Sequence, residues 1–179
     1  MTPAEGAAPA ADQAPAADDA PAARAVRRAH WAQLDPQTLH DLLRLRIDVF
    51  VVEQKCPYPE LDGRDVDPRT EHVWVADERG PAAYLRVLTD GDEARRIGRV
   101  CTRVDARGGG LAGLLVDDVL AGGRGTVFVL DAQTYVAGFY AARGFDVSGP
   151  EFVEDGIPHV PMRRAAVGQL TPPVREGRR

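Results

Sequence analysis

The stretch of residues 100–121 constrains the fold of this chain more than any other. Residues 100–106 alternate β-branched with polar side chains, as a half-buried strand does. The turn that follows carries glycine at positions 108, 109, 110 and 113. Apolar residues then recur at helical spacing, at Leu111, Leu114, Leu115 and Val119. Such a turn presents backbone N–H groups at the positive end of a helix dipole, so it predicts an anion site, most often for phosphate.

The bulk composition is that of a globular protein with one domain. The chain has 179 residues, of which 44% are hydrophobic, and this is enough for a core. Its net charge of −5 at pH 7 argues against non-specific nucleic-acid binding. No apolar run is long enough to span a bilayer. We therefore predict neither a nucleic-acid partner nor a membrane partner.

The cysteines, the histidines and the two ends of the chain allow predictions about compartment, metal binding and domain organisation. Cys56 and Cys101 are far apart and make no disulfide framework, which indicates a reducing compartment and a cytoplasmic location. The 4 histidines and 2 cysteines show no ligand spacing, so we predict no metal. Residues 1–24 are rich in alanine and proline, lack a signal peptide pattern and are predicted to be disordered. A domain at 25–166 and a flexible tail at 167–179 complete the predicted organisation.

The order of elements predicts a mixed α/β sheet. A helix at 36–50 begins with Asp35 as N-cap and Pro36 at its first position, and residues 51–67 form a long loop. The predicted apolar face of this helix is Leu39, Leu42, Leu43 and Phe50. Strands are predicted at 25–31, 72–77, 82–88, 96–104, 126–130, 145–147 and 157–162, with further helices at 111–121 and 134–142. Pairing is antiparallel up to the glycine turn, where one β-α-β crossover follows.

One interpretation of the glycine turn is a dinucleotide site. Gly108, Gly110 and Gly113 match G-x-G-x-x-G, and Asp131 follows at the end of the next strand. However, the strand before a dinucleotide loop is buried on both faces, whereas this one is interrupted by several arginines. The chain also ends too soon after Asp131 for further β-α units. We therefore favour the second interpretation.

The motif Arg107-x-x-Gly110-x-Ala112 resembles the pyrophosphate loop of the GNAT family of N-acetyltransferases. Gln133-x-x-Val136-x-x-Phe139-Tyr140, followed by Gly144-Phe145, resembles the next segment of that family. The segments similar to the ElaA-like branch are Phe50-Val51-Val52-Glu53-Gln54-x-Cys56-Pro57-Tyr58, Asp62-Gly63 and Glu154-Asp155-Gly156-Ile157-Pro158-His159. The resemblance covers roughly residues 25–164. It implies a GNAT fold, with a mostly antiparallel sheet of about six to seven strands flanked by helices on both faces.

The resemblance implies direct transfer of an acetyl or acyl group from acetyl-CoA to an amine. The residues it assigns to the acyl-CoA are Val100, Cys101, Thr102, Arg107, Gly108, Gly109, Gly110, Leu111, Ala112, Gly113, Gln133 and Tyr140. Backbone groups of the strand at 100–102 would contact the pantetheine, and an N–H near Val100 or Cys101 would polarise the thioester. Gly98 is predicted to mark a bulge that opens this strand.

Proton transfer and acceptor binding are assigned to other residues. Tyr140 is the predicted general acid, since a phenol there would face the leaving sulfur. The predicted proton acceptor is one of Glu53, His72 and His159, with Glu154 and Asp155 as further candidates. The predicted acceptor-binding residues are Glu53, Tyr58, Asp62, Arg86, Arg99, Glu154, Asp155 and His159. Arg86 and Arg99 would either bind an anionic substrate group or form a solvated strand face.

Two functions from different classes are compatible with these patterns. The first is an N-acyltransferase acting on a small-molecule or peptide amine, as a monomer or homodimer. The second is a CoA-binding sensor or interaction module that keeps the fold without turnover. The loop motif does not separate the two, whereas Tyr140 and the loop carboxylates favour the enzyme.

Overall fold

The computed structural model describes residues 25–91 and 94–166, so the predicted tails at 1–24 and 167–179 lie outside the described residues. The strands of the sheet are β1 (Arg27–Ala29), β2 (Glu71–Asp77), β3 (Gly80–Asp90), β4 (Ala94–Thr102), β5 (Val127–Gln133), β6 (Asp146–Val147), β7 (Phe152–Glu154) and β8 (Ile157–Arg164). The α-helices are α1 (Pro36–Arg46), α2 (Leu111–Gly122) and α3 (Ala137–Ala141). A seven-residue π-helical segment, Ile47–Glu53, continues α1.

The eight strands form one sheet in the order β1-β2-β3-β4-β5-β8-β6, with β7 paired to β8. Neighbours are antiparallel except β4 and β5, which are parallel and joined through α2. The predicted mixed sheet and its single crossover are thus confirmed. The additional strand is β7, whose three exposed residues carry no alternation that a sequence pattern would detect.

Helices cover both faces of the sheet, as predicted. Because successive side chains of a strand point to opposite faces, β2 and β3 contribute to two separate cores. Members of the first core, beneath α2, include Val73, Leu85, Val87, Leu115 and Val119. Members of the second, beneath α1, are Leu42, Leu45, Val49, Trp74, Tyr84 and Cys101. Each fully buried large apolar side chain contributes about 1.5–3 kcal/mol to folding.

The start of α1 follows the sequence prediction, whereas its buried face does not. Asp35 Oδ1 accepts hydrogen bonds from the backbone N–H groups of Gln37 (3.0 Å) and Thr38 (2.9 Å), with Pro36 at the first helical position. The predicted face is wrong at Leu39 and Leu43, which are only half-buried and do not join the core, whereas Phe50 is half-buried but packs against it. The fully buried positions are Leu42, Leu45, Arg46 and Val49. The change to a π-helix at Ile47 shifts only the residues after it, such as Val49 and Phe50, relative to an α-helical stripe.

A cleft opens where β4 and β5 part. The two strands pair only between Ala94–Arg96 on β4 and residues 127–129 on β5. Beyond these residues, β4 pairs only with β3, and β5 only with β8. A bulge bends β4 here: Arg99 and Val100 oppose the single residue Leu85 on β3. The predicted bulge is confirmed, but its left-handed residue is Arg99, with φ of 55°, rather than the adjacent Gly98.

Candidate functional site

The cleft between β4 and β5 opens into a cavity of about 1080 Å³. Besides these two strands, it is lined by parts of β3, the π-helical segment and the loop that follows it, the start of α2, α3 with the turn before it, and the β7–β8 hairpin. The volume is that of a small-molecule site. The predicted site residues that line the cavity are Glu53, Tyr58, Asp62, Arg86, Arg99, Val100, Cys101, Thr102, Arg107, Ala112, Gln133, Tyr140, Glu154, Asp155 and His159.

The glycine turn meets this cavity at the start of α2. Gly108 and Gly110 have φ of 78° and 72°, which L side chains rarely adopt. Gly108 is therefore required by the backbone, although the motif itself depends only on Arg107, Gly110 and Ala112. Gly110 is the N-cap of α2, and no side chain caps this helix start. The N–H groups of the first turn, at the positive end of the helix dipole, are thus suited to an anion.

Arg107 is held by a carboxylate from across the cleft. Its two Nη atoms donate to the two carboxylate oxygens of Glu53, at 2.8 and 2.7 Å, and its Nε donates to the Thr102 carbonyl oxygen at 3.1 Å. This pairing lowers the pKa of Glu53 below its usual value. A carboxylate that is engaged twice and weakly basic is a poor proton acceptor, so we do not assign that role to Glu53.

The neighbouring residue, Gln54, reaches the other wall of the cleft. Its side-chain amide and that of Gln133, the last residue of β5, lie 3.4–3.5 Å apart in both donor directions. Gln133 also accepts a hydrogen bond from the Tyr135 hydroxyl. Glu53, the last residue of the π-helical segment, and Gln54, which follows it, therefore contact opposite walls of the cleft.

Tyr140 lies on α3 with only 8% of its surface exposed, and it lines the cavity. Its ring meets Phe139 and Phe145 edge to face, with centroids 4.9 and 5.9 Å away. Burial raises the pKa of Tyr140 to about 12, so its phenol stays protonated near neutral pH. A buried, protonated phenol in the wall of a cavity is able to donate a proton. Tyr135, by contrast, is 73% exposed.

The two candidate histidines lie in different environments. His72 is buried, with Nδ1 2.8 Å from the Tyr84 hydroxyl and Nε2 3.1 Å from the Asp65 carbonyl oxygen. Burial lowers its pKa, and it is not among the residues that line the cavity. His72 is therefore placed as a structural residue, which corrects its candidacy as proton acceptor.

His159, on β8, does line the cavity. Its Nδ1 lies 2.8 Å from the carbonyl oxygen of Ile157, which only accepts, so Nδ1 carries the hydrogen. In the described part of the chain, Nε2 has no hydrogen-bond partner and retains its lone pair. The ring is stacked on Phe152 at 5.7 Å, which fixes its orientation. Of the candidate proton acceptors, His159 has the most suitable geometry.

A buried cluster of charged residues supports the cavity wall, and the sequence patterns did not identify it. Arg46 is fully buried; its Nε lies 2.5 Å from Glu60 Oε1, and its Nη1 lies 2.7 Å from Asp65 Oδ1. Arg86 contacts Asp62 at 2.6 Å and Asp65 at 2.9 Å. Arg86 is therefore not on a solvated face, and Asp62 already neutralises it. The one sequence feature that indicates such a cluster is Arg46 itself, an arginine at a buried position of α1.

Arg99 and Tyr58 connect this cluster to the cavity. Arg99 Nε lies 2.7 Å from Glu60 Oε2, and its guanidinium lies over the Tyr58 ring at 5.3 Å. The Tyr58 hydroxyl donates to the same Glu60 oxygen. Burial raises the pKa of Tyr58, which stays protonated. Both side chains are thereby held in place where they line the cavity.

Glu154 ends β7, and Asp155 and Gly156, with φ of 50° and 81°, form the turn to β8. The carbonyl oxygen of Asp155 accepts a hydrogen bond from Cys56 Sγ at 3.3 Å, which ties this turn to the loop after the π-helical segment. Both acidic side chains are exposed, and neither forms an ion pair within the described residues. They are the unneutralised negative charges of the cavity.

Other reactive side chains contribute little chemistry. Burial raises the pKa of Cys101 to about 12, so its thiol is not a nucleophile near neutral pH. Within residues 25–91 and 94–166, no three His, Cys, Asp or Glu side chains group as metal ligands do. Over the same residues, none of the helices has both the length and the apolar character to cross a bilayer.

Residues 46–166 match the family model described as an acetyltransferase (GNAT) domain, which spans more than half of the chain. The chain belongs to the GNAT acetyltransferase family. It is 46% identical over 153 residues to the UPF0039 protein Rv2851c of Mycobacterium tuberculosis, with 83% of this chain and 98% of that protein covered. It is 35% identical over 146 residues to ElaA of Escherichia coli, with 77% and 94% covered.

Solved structures agree with this assignment. The structure of an acyl-CoA N-acyltransferase from Pseudomonas aeruginosa superposes with a TM-score of 0.75 at 38% identity, covering 79% of this chain and 99% of the other. The structure of E. coli ElaA superposes with a TM-score of 0.73 at 33% identity, covering 78% and 98%. The predicted resemblance to the ElaA-like branch of the GNAT family is thus confirmed. Family and neighbours together support acyl transfer, with acyl-CoA as the implied co-substrate.

Proposed function

We propose that this GNAT protein transfers an acetyl group from acetyl-CoA directly to the amine of a small molecule or peptide. The observation that carries the proposal is one continuous cavity. It joins an uncapped helix start, a strand edge with no neighbour, a buried phenol and a histidine with a free ring nitrogen. Each of these features suits one requirement of acyl transfer.

The cavity fits acyl-CoA in two respects. The left-handed Gly108 and Gly110 leave the first N–H groups of α2 open to a diphosphate. Residues 97–102 of β4 have no partner on their β5 side, so their backbone groups are available to an extended, amide-bearing chain such as pantetheine. The residues that would hold the co-substrate are therefore the glycine turn and the free edge of β4.

Acetyl-CoA supplies a thioester, with an electrophilic carbonyl carbon and a thiol leaving group. In our proposal a backbone N–H at Val100 or Cys101 donates to the carbonyl oxygen and stabilises its developing charge. His159 Nε2 accepts the proton that the attacking amine loses as the C–N bond forms. Tyr140 donates its phenolic proton to the sulfur as the C–S bond breaks, and solvent restores it.

The acceptor is proposed to be a cationic amine that loses its charge on entering the site. Arg86, Arg99 and Arg107 are each paired with a carboxylate. Three charged side chains that line the cavity have no ion-pair partner within the described residues: Arg64, on the loop after the π-helical segment, and Glu154 and Asp155, on the β7–β8 hairpin that carries His159. The excess charge near His159 is therefore negative and attracts an ammonium group. Arg86 and Arg99 are not proposed to bind an anionic substrate group.

The test combines binding with turnover. Titration calorimetry with acetyl-CoA is expected to show binding, and a panel of polyamines, amino acids and lysine-containing peptides is expected to include one that releases free thiol. Binding without thiol release on any amine would contradict an enzyme and support a CoA-binding module instead. Absence of acetyl-CoA binding would contradict both functions.

A further inference from the structure

The bulge of β4 contains a residue in a conformation that its type disfavours. Three non-glycine residues in the described ranges have positive φ, and two of them, Lys55 and Asp155, lie outside strands. Arg99, with φ of 55°, lies within a strand. An L side chain in the left-handed region crowds the backbone, so such a residue persists only where its surroundings hold it.

Two ion pairs and one ring contact hold the side chain of Arg99, and none of the three is a hydrogen bond. Its Nε lies 2.7 Å from Glu60 Oε2, its Nη2 lies 3.6 Å from Asp62 Oδ2, and its guanidinium covers the Tyr58 ring at 5.3 Å. The side chain is consequently only 24% exposed, although Arg99 lines an open cavity. These contacts oppose the relaxation of Arg99 to an ordinary strand conformation.

Glu60 is itself fixed. Only 3% of it is exposed, its Oε1 contacts the buried Arg46 at 2.5 Å, and its Oε2 accepts from the Tyr58 hydroxyl. Arg46 belongs to α1 and Glu60 to the loop after the π-helical segment. Arg99 is therefore tied to a rigid group outside the sheet.

We propose that Glu60, acting through Arg99, is a positioning residue that keeps the β4 bulge in the shape that presents a backbone N–H to the thioester. The bulge sets two residues, Arg99 and Val100, against Leu85, which turns the backbone away from a regular ladder. The inference rests on the proposed acyl transfer, because it assigns a purpose to the bulge in that reaction. Neither Glu60 nor Arg99 needs to touch the reacting atoms.

The test separates backbone conformation from side-chain contact. Arg99→Ala removes the anchor and keeps the steric penalty of positive φ, whereas Arg99→Gly removes the anchor and the penalty together. The probe is [1-¹³C]acetyl-CoA, whose carbonyl chemical shift in the complex reports polarisation without any amine. The matched control is Arg95→Ala, which removes another arginine of β4 that pairs with Glu71 outside the cavity.

We expect a downfield carbonyl shift in the wild-type complex, retained in Arg99→Gly and Arg95→Ala but lost in Arg99→Ala. Affinity for acetyl-CoA should change by less than about threefold in all three variants, because the glycine turn and the part of the free β4 edge outside the bulge are untouched. Where an accepted amine is known, kcat of Arg99→Ala should fall about 10²-fold at nearly constant KM for acetyl-CoA, the loss seen when one oxyanion donor is removed.

The link to Glu60 is tested by rescue. Glu60→Gln should reduce the carbonyl shift, and the double variant Glu60→Gln/Arg99→Gly should restore it. Because Glu60→Gln could disturb folding through Arg46, the Arg99 pair alone also decides the matter. If Arg99→Gly and Arg99→Ala lose the downfield carbonyl shift equally, or if Arg99→Ala retains it unchanged, the inference is overturned.

Failure of the proposed function gives different results. A wild-type protein that binds and polarises acetyl-CoA but acetylates no amine contradicts the enzyme, while the variants still decide the role of Glu60. A wild-type protein that does not bind acetyl-CoA overturns the function and the inference together.

Discussion

Replacing Arg46 by methionine tests whether the buried charged cluster holds the cavity wall. Arg46 is fully buried in α1, and its guanidinium contacts Glu60 Oε1, Asp65 Oδ1 and, at 3.1 Å, the backbone oxygen of Glu60. Its guanidinium also lies 5.5 Å from the centre of the Tyr84 ring. Methionine fills much of the volume but leaves two buried carboxylates with one cation fewer.

The expected loss in the free energy of unfolding depends on the partners that the two carboxylates keep. Removing one partner of a buried ion pair costs about 3–5 kcal/mol. Glu60 keeps Tyr58 and Arg99, and Asp65 keeps Arg86, so the lower end of the range applies. A loss of about 3 kcal/mol lowers the melting temperature of a domain of this size by about 6–12 °C.

The pH dependence of this loss has a definite sign. Burial acts to raise the pKa of Asp65, but the hydrogen bonds and charges of Arg46 and Arg86 outweigh it and hold the pKa below its usual value. A carboxyl with a lowered folded pKa stabilises the protein above its unfolded pKa of about 4, and that stabilisation is lost as the pH falls through the folded value. Since Arg46→Met weakens this contribution, its deficit relative to wild type should narrow below about pH 4.

Urea denaturation from pH 3 to pH 7 measures both effects. The matched control is Arg44→Met, an exposed arginine of the same helix, which should stay within about 0.5 kcal/mol of wild type. Equal stability of Arg46→Met and wild type at pH 7 would refute the role assigned to the cluster. A deficit that does not change with pH would refute the role assigned to Asp65.

Three further predictions concern the cavity and the buried histidine. Tyr140→Phe should lower turnover about 10²-fold and leave acetyl-CoA affinity nearly unchanged, as measured by thiol release and calorimetry. Glu53→Gln should tighten acetyl-CoA binding, because Arg107 is no longer neutralised, and calorimetry with acetyl-pantetheine should show no such gain. His72 has its pKa lowered by burial, so its contribution to stability is complete above about pH 6.5 and is lost as the pH falls below it; His72→Gln should flatten this slope in thermal melts.

Controls for these predictions are available in the chain. Tyr135→Phe changes an exposed tyrosine and should leave more activity than Tyr140→Phe; equal losses would remove the general acid. Glu154→Gln removes a cavity carboxylate that does not pair with Arg107. If it tightened acetyl-CoA binding as much as Glu53→Gln does, the gain would come from the net charge of the cavity and not from the release of Arg107. His40→Gln changes an exposed histidine, and a slope that persists unchanged in His72→Gln would contradict our interpretation of the pH effect.

The parts of the fold that sequence predicts are those determined by neighbouring residues. Asp35 and Pro36 define the start of α1 by their own geometry, and the leucine spacing after Gly110 defines α2. The π-helical segment has no such local signal, because the spacing of its apolar residues is compatible with an ordinary helix. The short strand β7 depends on pairing with β8, which lies across a turn.

The candidate site divides in the same way. The glycine turn and Tyr140 are found by motif; Tyr140 lines the cavity, as do Arg107 and Ala112 of the turn, whereas its glycines are not among the lining residues. The partners of Arg107 and Arg46 are not predictable, because Glu53 ends the π-helical segment, Glu60 and Asp65 follow it, and the path of this part of the chain depends on the tertiary fold. His72 and His159 are equally good candidate proton acceptors in the sequence, because only burial and hydrogen bonding distinguish them.

The left-handed backbone at position 99 has an evolutionary consequence. If the acid at position 60 exists to hold a strained arginine, the two positions are free to vary only together. A relative that lacks the acid should carry glycine or asparagine at position 99, residues that adopt positive φ without an anchor. Such paired replacement across GNAT relatives of this branch would show, from sequences alone, that the acid at position 60 holds the bulge of β4 in place.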